Sequence, residues 1–157
     1  MLHTVRDLVS KQFGTKEDPA ARAKGVRLAT AALMVEMVRA DARVMGEEAA
    51  ALHGLLARHF DIAPDECRAL IAAAEREADA AVSLHGYTKL LNEVLSAGEK
   101  QRVLELLWKL AFADHELDRY EEHLVRKVAD LLYVSHADLI RAKLAVQEAI
   151  QKAGGAG

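Results

Sequence analysis

The chain has one cysteine, two prolines and an aromatic content of only 4% in 157 residues. A single cysteine excludes an intrachain disulfide framework and suits a reducing compartment. Cys67 therefore reads as a small core hydrophobe. Few aromatics and a net charge of −3 leave neither the basic stripe nor the stacking platform of a nucleic-acid binder. No apolar run approaches the roughly 20 residues that cross a bilayer. The opening MLHTVRDLVSKQFG carries Arg6, Asp7 and Lys11 without a small-residue cleavage site, so it does not read as a signal peptide. The cytoplasm is the expected location. Nucleophile motifs, Gly-rich phosphate loops and dinucleotide fingerprints are also missing, and the expectation is a protein that is not an enzyme.

What is present is helix-forming sequence. The chain is 52% apolar and 29% charged, and Ala, Leu, Glu, Arg and Lys dominate it. No segment alternates with period two, so the predicted fold class is all-α, a compact domain of about seven to eight helices. Residues 1–17 form an N-terminal segment with an apolar stripe of Leu2, Val5, Leu8 and Val9. Packing on the domain or fraying is the simpler reading of it, and peripheral membrane association stays open.

Residues 18–152 make the domain, and 153–157 are expected to be a disordered tail. Asp18 is a good N-cap with Pro19 at the first helical position. The helix from there to about Ala40 is apolar on more than half its circumference and should be central. Another follows from about Glu47 to Phe60. Pro64 opens the next, where Cys67, Leu70, Ile71 and Ala74 form the inward stripe and Glu75, Arg76, Glu77 and Asp79 read as solvated. A further helix carries Tyr87, Leu90, Leu91, Val94 and Leu95. Ser96 and Glu99 form a capping box for the helix that holds Trp108, which reads as core. The last two helices run from about Arg119 to Tyr133 and onward from a second box, Ser135 to Asp138.

The chain also repeats. LLWKLAFADHELDRYEEHLV, Leu106 to Val125, aligns without a gap on LMVEMVRADARVMGEEAAAL, Leu33 to Leu52. Asp114 follows Asp41 by 73 residues, and Glu121 follows Glu48 by the same 73. Phe60-Asp-Ile-Ala matches Leu132-Tyr-Val-Ser at 72. This pattern predicts two duplicated three-helix units, about 28–72 and 101–144, joined by one helix.

Each matched loop aims two carboxylates inward. Glu121 stands at i−3, i−4 and i−7 from Leu124, Val125 and Val128, so it continues their stripe, whereas Glu122 points away and can pair with Arg126. Two readings remain open. In one, Asp41 and Asp114 accept amides of their own turns, and Glu48 and Glu121 are capping residues. In the other, Asp114, Glu116, Asp118 and Glu121 hold a hard divalent cation, with Asp41 and Glu48 a poorer second site beside Arg43 and Met45. Their spacing starts like an EF-hand but lacks its glycine and its final glutamate, where Val125 stands. Calcium, magnesium or manganese suits these oxygen donors better than zinc; His115-Glu116 begins like HExxH, but Arg119 stands where the second ligand should be.

These residues resemble the tellurite-resistance TerB-like family over roughly Leu28 to Lys143. The resemblance implies an all-helical TerB fold, an association with resistance to tellurite and other stresses, and metal binding through acidic residues. By motif position it points to Asp41, Glu48, Asp114 and Glu121. Family loops usually read Ala-Asp-Gly, and here Ala42 and His115 replace the glycines. The expected partner is another protein or a second copy of the chain.

Overall fold

The computed structural model describes residues 18–40, 46–80, 83–113 and 119–155, with the side chains of 40, 46–49 and 154–155 outside it. The described residues form seven helices, α1 (Pro19–Ala40), α2 (Gly46–Phe60), α3 (Pro64–Asp79), α4 (Leu84–Val94), α5 (Ala97–Ala111), α6 (Arg119–Leu131) and α7 (His136–Gly155). The described residues contain no strand, and the fold is all-α. The N-terminal segment 1–17 lies outside the described residues. No described helix is long and apolar enough to cross a membrane.

α1 is the central helix. Every residue from Leu28 to Val35 is buried, including Thr30. A helix buried all round must be surrounded by others. It packs against α2, α3, α4, α5 and α6. Leu33, Met34 and Met37, each no more than 1% exposed, stabilise the fold by about 1.5–3 kcal/mol apiece. Gly25 lets α4 come close, since a Cβ there would lie 3.3 Å from Leu90 Cδ2. A Cβ there would require the Leu90 side chain to give by a few tenths of an ångström.

The ends follow local chemistry. Asp18 Oδ1 accepts the amides of Ala20 and Ala21 at 3.0 and 3.2 Å, with Pro19 at the first helical position. Ser96 and Glu99 form the reciprocal capping box, at 3.2 Å for the serine oxygen and 2.9 Å for the glutamate. The second expected box is only half made. Ser135 Oγ accepts the Asp138 amide at 3.1 Å, but the Asp138 carboxylate pairs with Arg141 at 3.0 Å.

α2 and α6 stop in the same way. Asp61 (φ 52°) and Tyr133 (φ 59°) are the described non-glycine residues in the left-handed region. After each, an amide reaches back five residues: Ile62 to Ala57 at 3.1 Å, and Val134 to Ala129 at 2.9 Å. Both are Schellman caps. Asn92 and Lys100 add donors to the α6 terminus, bonding the Leu131 and Leu132 carbonyls at 2.9 and 3.1 Å.

Two expectations need correcting. Glu77, read as solvated, is 5% exposed, because it continues the stripe of Cys67, Leu70 and Ala74. And α7 runs through Gly155, where a disordered tail was expected from 153; Ala153 favours helix and no proline stops it.

Candidate functional site

The site expected from sequence lies between α5 and α6. α5 brings the chain there as a buried rod: Val103, Leu104, Leu106, Leu107, Trp108, Leu110 and Ala111 are all buried. Trp108 is core, as expected, at 1% exposure. Its indole N–H donates to the Leu139 carbonyl at 3.3 Å, which ties α5 to α7 and satisfies the ring's one polar atom. Phe112 stacks on it at a centroid distance of 6.0 Å and is the C-cap of α5.

α6 resumes at Arg119. Its buried residues are Glu121, Val125, Val128 and Ala129, spaced i, i+4, i+7 and i+8, so they form one face of a helix. Glu121 lies on that face with 0% exposure. The inward phase read from the sequence is correct, and the carboxylate is buried as fully as the valines below it. Burying a charge is costly unless a cation, a proton or hydrogen bonds compensate it. Its first-turn position helps, because the helix dipole and the first-turn amides favour an anion there.

Glu122 takes a different partner from the one expected. It accepts from Lys143 of α7 at 3.0 Å, not from Arg126. Both side chains are mostly covered, at 28% and 22% exposure. Lys143 Nζ also lies 5.3 Å from the centroid of the Trp108 ring. Tyr120, two residues before Glu122, is 71% exposed.

Asp114, Glu116 and Asp118 lie outside the described residues, as does Asp41. Glu48 stands in the first turn of α2, but its side chain is outside the description. Glu121 is thus the one predicted ligand whose surroundings the structure gives. Among the described residues, no three His, Cys, Asp or Glu side chains are gathered to hold a metal.

The family model described as tellurite resistance protein TerB matches residues 27–144. The chain belongs to the TerB family. No curated protein and no solved structure matches it. The TerB match begins within α1 and ends within α7, and it takes in both acidic loops.

Two polar features of this TerB domain escaped the sequence reading. The Lys143–Glu122 pair joins residues far apart in the chain, and no local pattern announces it. Glu77 was visible in principle: Cys67, Leu70, Ala74 and Glu77 follow helical spacing, but a neighbouring run of charges suggested solvent.

Proposed function

We propose that this TerB domain is a non-enzymatic binding domain that takes a hard divalent cation through its second acidic loop. Asp114, Glu116, Asp118 and Glu121 would supply the oxygens, with Asp41 and Glu48 a weaker second site. The observation that carries this reading is Glu121. A glutamate at 0% exposure, close in the chain to three more carboxylates, supplies an inward-facing oxygen donor of the kind a hard cation takes. Oxygen donors favour calcium, magnesium or manganese over zinc. The family's name supports a place in tellurite resistance; a wider stress role, a cytoplasmic location and a protein partner or second copy are part of the same proposal. The two matching Schellman caps support an origin of the halves by duplication.

Calorimetric titration of the metal-free protein with Ca²⁺, Mg²⁺, Mn²⁺ and Zn²⁺ tests the reading. Binding of the first three below millimolar, lost in Asp114→Asn with Glu121→Gln, is the expected result. No heat below millimolar, or unchanged binding in that variant, would sink it.

A second reading treats the acidic residues as helix caps and the domain as a protein-interaction module. Asp18 and Ser96 favour it, since this chain caps other helices with side-chain oxygens. Asp114→Ala would then cost about 0.5–2 kcal/mol of stability, equally with and without metal.

A further inference from the structure

α7 is packed on one side only. Leu139, Ala142 and Val146 are its buried residues, and it rests on α5 and α6. The opposite side carries Ala137, Arg141, Leu144, Glu148 and Gln151, all exposed. Alternating steps of four and three residues keep them in one line along the helix. Leu144 stands at the middle of that line with 57% exposure, flanked by half-buried Ile140 and exposed Ala145. From Glu148 to Ala153 every residue is exposed, so among the described residues nothing covers the last turns.

The charges beside Leu144 alternate in sign. Asp138 pairs with Arg141 at 3.0 Å before it, and Glu148 with Lys152 at 3.8 Å after it. All four side chains are at least 44% exposed, which leaves room for further partners. Along the chain the order is minus, plus, Leu144, minus, plus. Turned end for end, the same series is plus, minus, Leu144, plus, minus. A second α7 laid antiparallel across Leu144 would therefore set Arg141 against Glu148 and Asp138 against Lys152, on both sides of the centre. Both crossings have their midpoint within one residue of Leu144. A parallel copy would put each charge beside its own kind, which is costly. A two-fold contact needs a patch complementary to itself, and this face is one.

We propose that the exposed face of α7 is a self-association surface, on which two copies of the chain pair through antiparallel helices crossing at Leu144. This gives the second copy in the proposed function its contact surface and rests on that part of the reading, without needing the cation. Leu144, Ile140 and Ala145 form the water-excluding centre. The charges around them set direction and register more than affinity, as exposed ion pairs do. One helix face per copy lies at the low end of interface sizes, below about 1,200 Å², so the dimer is weak and reversible.

Sedimentation equilibrium of the whole chain, in chelator and low salt from about 5 to 500 µM, is the test. A monomer–dimer equilibrium is expected. Leu144→Glu should weaken it about tenfold or more, and Arg141→Glu or Glu148→Arg alone severalfold. The two reversals together should restore it, because they exchange the signs that meet. All these side chains are exposed, so the melting temperatures should stay close to the parent's. A dimer indifferent to Leu144→Glu, or reversals that do not rescue each other, overturns the α7 contact and leaves the second-copy reading standing on another surface. A chain that stays monomeric overturns both. If Leu144→Glu also lowers the melting temperature of such a monomer, residues 1–17 of the same chain cover the face instead. The calorimetric cation titration is decided separately from either result.

Discussion

Lys143 on α7 donates to Glu122 on α6 at 3.0 Å, and the same ammonium rests 5.3 Å from the centre of the Trp108 ring on α5. One side chain therefore links the three helices that follow one another around the second acidic loop. The pair is about three-quarters covered, so it should exceed a free surface ion pair, whose worth is about 0.2–1 kcal/mol.

A double-mutant cycle of Glu122→Gln and Lys143→Met, read by urea unfolding, should give a coupling of about 1 kcal/mol. Lys143→Met should also shift the emission of Trp108, the chain's only tryptophan. Zero coupling with unchanged emission would mean the pair contributes nothing in solution.

Tyr133 offers a stabilising change. Its ring is 82% exposed, and its backbone sits at φ 59°, where a side chain costs about 1–2 kcal/mol and glycine costs far less. Tyr133→Gly should raise stability by about 0.5–1 kcal/mol, after allowing for glycine's greater entropy in the unfolded chain. Asp61→Gly should gain less, because Asp tolerates this conformation better. A lowered melting temperature for Tyr133→Gly would show that the ring's position over Lys100, 6.0 Å away, outweighs the strain.

Glu36 gives a pH dependence whose sign is fixed by burial. Its carboxyl titrates above the ordinary glutamate range in the folded protein. The associated stability is fully present below the unfolded value, about 4.3, and is lost as pH rises through the folded value. In chelator-treated protein, Glu36→Gln should therefore raise the melting temperature at pH 7 and change it little near pH 3.5. Equal effects at both pH values would assign the change to packing rather than ionisation.

Much of the fold was legible because helices are local. The 3.6-residue period, Pro19, Pro64, and the Ser96–Glu99 box depend on residues a few positions apart, and the structure reproduces each. The same locality made Glu121 legible: its place on the stripe of Val125 and Val128 follows from spacing alone. Glu77 had equally good spacing, yet its charged neighbours Glu75, Arg76 and Asp79 outweighed it.

The sequence by itself determined the helices, most of their caps, the inward phase of Glu121 and the family. Only the tertiary structure decided which distant residues meet. Glu122 and Arg126 were plausible neighbours at one helical turn, but α7 packs so that Lys143 reaches Glu122 first. Arg39 and Asp79, 40 residues apart in the chain, meet because α3 packs on α1. Hydrophobic burial drives that packing. It is proportional to area and blind to direction, so it brings polar groups together at positions that no short-range spacing encodes.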